Sequence, residues 1–249
     1  TRNNRDEWQP RLSPNDDRIA YIAHHDLEPY IFTMNRDGSD VTRISPKPVT
    51  GYHNPGRGFT WTSTGSDIIY AHYNQMLFVN ISGKYQGQFA EAPPDRHFRD
   101  LDYSPVGTVV AAQTVGTVLD SSEIYLYDLY GGEPVLLVPN LKGIIESPSF
   151  SVDGSKVMFT WDVSANILPD GRQLDAHIFT IDIESFEITD LSIYKPAGTN
   201  DLNPRYSPNG AYIIFENGSN ERGSSKSIWI MDSKGGNREM LFEDAIMPD

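Results

Sequence analysis

Short runs of apolar and β-branched residues recur along the whole chain, separated by segments rich in Gly, Pro, Asn, Asp and Ser. In the stretch NPRYSPNGAYIIFENG (203–218), the turn residues SPNG at 207–210 separate two such runs. Short apolar runs bounded by turn residues favour β-strands over helices, and Asn-Gly supplies the positive φ that a tight hairpin turn needs. The pattern therefore predicts an all-β chain built from antiparallel hairpins.

The turn in this stretch is one of five similar turns along the chain, spaced about 40 to 55 residues apart. In each turn a Ser or Thr follows a large apolar residue, and four of the five copies have Gly three positions after the hydroxyl residue. The first copy has Asp16 in place of that glycine. The five hydroxyl residues are Ser13, Thr62, Ser104, Ser151 and Ser207.

A second motif follows each of these turns. It consists of an aliphatic residue, an aromatic residue and, three positions later in four copies, an Asn or Asp; copy two has Ile81 there, one residue past Asn80. The carboxylate or amide at that point can bind the backbone of the following turn. We align the aromatic residues as Phe32, Phe78, Tyr125, Phe179 and Trp229.

The two motifs together predict five units of four strands each. Repeats of this length, with apolar residues on both strand faces, are typical of the blades of a β-propeller. We therefore predict a single β-propeller domain over residues 1–249, with four-stranded antiparallel blades. The predicted blades are roughly 8–46, 57–92, 98–139, 145–193 and 201–243.

The paired motifs resemble the TolB-type propeller repeat, with its Pro-x-aromatic-Ser-Pro-Asp-Gly turn and its Ile-aromatic-x-x-Asp-x-x-Gly-Gly hairpin. Members of that family usually have six blades, or seven in some enzymes, whereas five repeats are visible here. A ring that closes with five blades is favoured. The alternatives are a segment of a six- or seven-bladed ring, or an extra blade completed by the chain ends, since AIMPD (245–249) resembles the start of another inner strand.

Composition and charge narrow the range of partners. The formal net charge is −14 and no Lys/Arg cluster is present, which argues against a nucleic acid or an anionic membrane surface as the partner. The chain has no cysteine, which excludes disulfides, thiol catalysis and Cys-ligated zinc. No apolar run approaches the length of a membrane span, so no direct membrane insertion is expected.

The residues just before each inner strand are the candidate binding site, because the loops that enter the inner strands converge at one mouth of the central channel. They form a mixed ring of charged and polar groups, which fits a polar binding surface better than a metal cage. A hydrated channel mouth with pairwise ion pairs is the alternative interpretation. The candidate residues are Trp8, His53, Arg57, His97, Arg99, Asp100, Glu146, Asp201 and Asn203.

No catalytic motif is present in the chain. It lacks a G-x-S-x-G elbow, a P-loop and H-E-x-x-H, and its six histidines show no metal-ligand spacing. The longest insertion, around PDGRQLDAH (169–177), could hold Ca²⁺ but does not match an EF-hand loop. We therefore expect no catalytic residue, no metal ion and no cofactor.

Resemblance to the TolB type implies a non-catalytic scaffold of the bacterial cell envelope, periplasmic or extracytoplasmic, that binds a protein or peptide at the channel mouth. It could also be part of a larger multidomain protein or complex. One alternative is the gating propeller of a prolyl-oligopeptidase-type serine peptidase, whose catalytic triad lies in a separate domain. Another is a glycan-binding or polysaccharide-lyase propeller that uses Trp8, Trp61 and Trp161 for stacking, although Trp61 occupies an expected core position.

Overall fold

The computed structural model describes residues 7–50, 58–116, 121–166, 168 and 172–246. This part of the chain forms twenty strands, β1 to β20, arranged as five antiparallel sheets of four strands. In each sheet the strands follow one another in chain order, as in a meander. The predicted all-β propeller with five four-stranded blades is confirmed.

Blades one to five are the five sheets in chain order. Blade one contains β1 Glu7–Leu12, β2 Arg18–His25, β3 Glu28–Asn35 and β4 Thr42–Arg43; blade two contains β5 Phe59–Trp61, β6 Asp67–His72, β7 Gln75–Asn80 and β8 Tyr85–Glu91. Blade three contains β9 His97–Tyr103, β10 Val109–Val115, β11 Glu123–Asp128 and β12 Val135–Val138; blade four contains β13 Ile145–Phe150, β14 Lys156–Asp162, β15 Ala176–Asp182 and β16 Ile188–Asp190. Blade five contains β17 Thr199–Tyr206, β18 Tyr212–Ser219, β19 Lys226–Asp232 and β20 Glu239–Phe242.

The turn between the first two strands of a blade depends on a left-handed residue and on the anchoring hydroxyl group. Gly154 has φ +71°, and in blade one Asp16 takes over the same role with φ +65°. The Ser151 hydroxyl accepts a hydrogen bond of 3.0 Å from the backbone amide of Lys156, and Ser207 accepts an equivalent one from Tyr212. The repeated turn motif therefore encodes a hairpin, as its sequence predicts.

The second motif closes the turn after the third strand of each blade. Asp232 accepts hydrogen bonds of 2.9 Å from the backbone amides of Lys234 and Gly236. In blade two Asn80 performs this role by accepting from the amide of Ser82 at 3.0 Å. The alignment of Phe78 with the other aromatic residues is therefore wrong by one residue. Leu77 occupies the aromatic position, which the continuous apolar run MLFV concealed.

The core lies between successive blades, because the sheets of blades two, three and four are buried on both faces. Ile68 and Tyr70 on β6 belong to a cluster shared with blade one, whereas Ile69 and Ala71, on the other face of the same strand, belong to one shared with blade three. This division follows from the two-residue period of a strand. Two further clusters join blade three to blade four and blade four to blade five.

The inner strands carry a bulge just before the repeated proline. Gln9, Ser147 and Asn203 have φ of 52°, 57° and 52°, and each directly precedes a proline. The register of β1, β13 and β17 against the next strand shifts at these points. Non-glycine residues rarely adopt positive φ, and a bulge redirects the side chains beside it. The bulge therefore helps to set which side chains point toward the centre of the ring.

The last described residues continue along blade five. The amide of Ala245 donates to the carbonyl of Lys226 on β19, at 3.0 Å, so the first residue of AIMPD adjoins blade five and the second, Ile246, is exposed. The rest of that motif, 247–249, lies outside the described residues. Within the described residues, no helix has the length and apolarity needed to cross a bilayer.

Candidate binding site at the channel mouth

The inner strands position most of the predicted site residues. Trp8 lies on β1, three of the residues on β9, Glu146 on β13 and two on β17. His53 and Arg57 lie outside the described residues. All the described candidates therefore come from equivalent segments of four different blades.

Asp100, Ser147 and Asn203 form a buried chain of hydrogen bonds that joins blades three, four and five. The amide of Ser147 donates to Asp100 Oδ2 at 3.0 Å, and its hydroxyl donates to Asn203 Oδ1 at 3.1 Å. All three residues are buried, with exposures of 3%, 2% and 2%. They therefore fix the relative positions of the inner strands below the mouth and present little surface to a ligand.

Glu146 is a nearly buried carboxyl group within this arrangement. Its Oε1 accepts a hydrogen bond of 2.6 Å from Gln173 Nε2, a residue of the long insertion in blade four. Burial raises the pKa of Glu146 above its usual value, although the nearby positive charge of Arg99 acts in the opposite direction. The charges of Arg99 and Asp100 therefore both act on the Glu146 carboxyl group.

Asp201 is fully buried and belongs to an ion pair. Its two carboxylate oxygens both lie 2.8 Å from Arg238 Nη2, and the side chains of Asn217 and Ser192 donate to it at 2.8 and 2.6 Å. The guanidinium also lies 4.8 Å from the centre of the Phe215 ring. This arrangement stabilises blade five, so an alanine at Asp201 would test folding more than binding.

Trp8 and His97 are the more accessible candidates. Trp8 is partly buried and makes an edge contact with His24, their ring centres 4.9 Å apart. His97 is exposed and lies 6.1 Å from the ring of Tyr73, which in turn contacts His72. These two residues, together with the partly buried Arg99, offer the most accessible surface among the described candidates.

Three residues near the site were missed by the sequence analysis. Gln173 comes from the long insertion, and Arg238 from the outer part of blade five. Lys226 pairs with the buried Glu216 at 2.7 Å, and its positive charge acts to lower the pKa of Glu146. For Gln173, the unusual length of the insertion was a signal in the sequence. For Arg238 and Lys226 there was none, because contacts between residues far apart in the sequence leave no local sequence pattern.

Two clefts lie at the end of the molecule where the repeated turns are located. One, of about 540 Å³, is lined by residues of blades one, two and three, including Arg11, Trp61 and Tyr103. The other, of about 610 Å³, lies between blades four and five beside Tyr206 and Lys234. Within the described residues, no group of three or more His, Asp or Glu side chains has an arrangement that could hold a metal ion.

Comparison with known proteins supports the architecture. No protein-family model matches the chain. A TolB-like protein from Agrobacterium tumefaciens superimposes with a TM-score of 0.74 at 15% identity, covering 97% of this chain and 82% of that structure. TolB from Acinetobacter baumannii gives 0.67 at 18% identity, covering 96% and 54%. The fold is that of a TolB-type β-propeller. At these identities the similarity shows the fold alone.

The same propeller fold is found in enzymes. Oligogalacturonate lyase from Vibrio parahaemolyticus superimposes with a TM-score of 0.66 at 9% identity, covering 97% of this chain and 65% of the lyase. In sequence, dipeptidyl-peptidase 5 from Porphyromonas endodontalis is 28% identical, over 61% of this chain and 29% of the peptidase. The chain thus spans less than a third of that curated relative.

Proposed function

We propose that this TolB-type propeller is a non-catalytic scaffold that binds a protein or peptide segment outside the cytoplasm, at the channel mouth formed by the inner strands. The observation that supports this most directly is the cluster of Arg99, Asp100 and Glu146 beside the exposed His97. Hydrogen bonds hold Asp100 and Glu146 of this cluster in place, and the neighbouring His97 is exposed, so a partner could contact it.

We also propose a periplasmic or extracytoplasmic location. The structural similarity to TolB proteins supports an envelope role, and an acidic, cysteine-free surface is compatible with it. The protein partner is expected to be reached through the mouth and the adjoining blade loops, with Trp8, His97 and Arg99 as contact residues and His53 and Arg57 as further candidates.

Site-specific crosslinking tests the proposal. A photo-reactive amino acid at His97 should capture a partner in periplasmic extract, whereas the same group at Tyr130 should not. Tyr130 is a suitable control because it lies in the same blade, is 87% exposed and sits at the turn after β11, at the opposite end of the blade from His97. Equal capture at both positions, or capture at Tyr130 alone, would contradict binding at the mouth.

The second candidate function is the propeller of a serine peptidase. It is favoured by the sequence match to dipeptidyl-peptidase 5, of which this chain would correspond to the propeller part. A reading frame that continues into an α/β-hydrolase domain would support it, because the triad of such an enzyme requires that domain. A frame that instead adds another binding domain would favour the scaffold.

A further inference from the structure

One position on the inner strands links a blade to the next one in three of the five blades. It is the residue just before the large apolar residue that precedes the turn, and we call these residues the linking positions: Arg11, Thr60, Asp102, Ser149 and Arg205. Three of them make hydrogen bonds forward. Arg11 Nη1 donates to the carbonyl of Phe59 at 2.6 Å, the Thr60 hydroxyl accepts from the amide of Tyr103 at 3.1 Å, and Asp102 accepts from the amide of Phe150 at 2.8 Å.

Arg205 is the exception among the charged linking positions. Its side chain is buried, with 8% of the residue exposed, and Nη1 donates to the carbonyl of Pro204 in the same strand at 3.1 Å. Within the part of the chain that the structure describes, Nε and Nη2 are buried and have no hydrogen-bond partner. Arg11, at the equivalent position of blade one, also pairs with Asp102 at 3.6 Å.

An unpaired buried guanidinium is costly for a folded protein. Arginine stays protonated in proteins, so it cannot escape the penalty by losing its charge. Two other well-buried arginines have carboxylate partners: Arg238 pairs with Asp201 at 2.8 Å and Arg96 with Glu123 at 3.2 Å. An anion would supply the partner that Nε and Nη2 of Arg205 lack.

The two free nitrogens specify the shape of that anion. Nε–H and one N–H of Nη2 point in the same direction and form one edge of the planar guanidinium. That edge matches the two oxygens of a carboxylate, which can accept both hydrogen bonds at once. A spherical ion such as chloride would use this geometry less well.

The surroundings of Arg205 favour a peptide as the carrier of the carboxylate. Arg205 is paired with Ile214 on β18, and Ile214 with Ile230 on β19, so these side chains share one face of blade five. Both isoleucines are partly exposed, and the cluster with blade four lies on the other face. Apolar neighbours suit the side chains of a peptide, whereas a sugar would need many polar partners for its hydroxyl groups.

We propose that the Nε–Nη2 edge of Arg205 binds a carboxylate side chain of an acidic peptide segment. This inference rests on the proposed peptide-binding function and names the chemistry of the segment. The overall negative charge of the chain repels an acidic ligand at long range. Recognition of the carboxylate therefore depends on its two short-range hydrogen bonds to the Arg205 guanidinium.

The ligand-free protein provides the first test. Arg205→Met removes a buried charge that has no partner and keeps an unbranched apolar stem, so its melting temperature should equal or exceed that of the parent. Arg11→Met is the matched control at the equivalent position, and it should melt lower because it leaves Asp102 without its arginine. If Arg205→Met melts as far below the parent as Arg11→Met, Arg205 has a structural partner and the proposal is overturned.

The second test follows the guanidinium directly. A blocked Ala-Glu-Ala peptide, added to ¹⁵N-labelled protein, should shift the Arg205 Nε–Hε resonance and raise the melting temperature, and both effects should vanish in Arg205→Met. The Ala-Gln-Ala peptide, which has the same shape without the charge, should do neither. An equal response to the Gln peptide, or a larger one to galacturonate than to the Glu peptide, would overturn the assignment.

The two proposals can fail separately. Crosslinking of a partner at His97 together with an unchanged Arg205 resonance would reject the carboxylate site and leave the scaffold function standing. A shifted Arg205 resonance without any partner captured at His97 would reject binding at the mouth and retain the carboxylate site.

Discussion

Single polar side chains contribute to this fold through the ion pairs and hydrogen bonds that they make in partly buried surroundings. His177 is an example outside the channel. Its Nδ1 lies 2.8 Å from Asp190, its Nε2 lies 3.3 Å from Asp175, and Asp175 also pairs with Lys195 at 2.6 Å. Burial by itself lowers the pKa of His177, but the hydrogen bond and charge of Asp190 outweigh it, so the pKa is raised overall.

A raised pKa makes the stability that His177 contributes depend on pH. The folded state holds the proton more tightly than the unfolded state, so the contribution is complete below the unfolded pKa of about 6.5 and is lost as pH rises through the folded pKa. We expect His177→Gln to lose more unfolding free energy, relative to the parent, at pH 5 than at pH 9, as measured by urea unfolding.

The control for this prediction removes the partner of the histidine. In an Asp190→Asn background the pH-dependent part of the loss should shrink, because the main charge that raises the pKa of His177 is gone. A loss of the same size at every pH would show that His177 contributes by packing on Phe179, whose ring centre is 6.1 Å away, and that its charge is unimportant.

At the scale of elements, the hairpin turn is the unit that repeats, but its copies differ in how tightly they are packed. A Cβ atom on Gly154 would lie 2.3 Å from Val106 Cγ2 of the neighbouring blade and 3.1 Å from Ser104 Oγ. A Cβ atom on Gly107 would meet nothing within 4 Å. Both glycines have positive φ, of +71° and +85°.

This difference separates backbone strain from packing. Gly107→Ala should cost about 1–2 kcal/mol, the penalty of an L-residue in the left-handed region. Gly154→Ala should cost about 1–3 kcal/mol more, because the valine must also move. The shift in the urea midpoint measures both values. Equal losses of stability in the two variants would mean that Val106 can move away from the new methyl group without an energetic cost.

For the whole molecule, polar side chains near the centre of the ring connect blades that are not neighbours. Arg11 of blade one and Asp102 of blade three are 3.6 Å apart, with side chains that are 14% and 18% exposed. Asp102 also binds the amide of Phe150 in blade four. Three blades are thus joined by two side chains, which should help the ring to unfold as one unit.

A double-mutant cycle between Arg11→Met and Asp102→Asn measures this connection. We expect a coupling energy of about 1–2 kcal/mol, since both groups are largely desolvated. The pair Arg36–Asp16 in blade one is shorter, at 2.8 Å, but its side chains are 58% and 63% exposed, so its coupling should stay below about 0.5 kcal/mol. A larger coupling for the exposed pair would refute the view that the central pair is the more important one.

Local sequence patterns were sufficient to predict the hairpins and the blades. Turn chemistry at Ser151 and Asp232, and the two-residue alternation of apolar side chains, depend on neighbours within one hairpin, so the blades and their number were readable from the chain. The one-residue error at Leu77 arose where an unbroken apolar run removed that alternation.

The burial of the predicted site residues could be seen only in the folded structure. Asp201, Asp100 and Asn203 were predicted at the mouth with the exposed His97, yet they are buried, because Arg238 and Ser147 reach them from distant parts of the sequence. Such contacts depend on how blades and strands are oriented in three dimensions, and a one-dimensional repeat carries no record of that orientation. The unpaired guanidinium of Arg205 became visible for the same reason: its sequence position equals that of Arg11, and its surroundings do not.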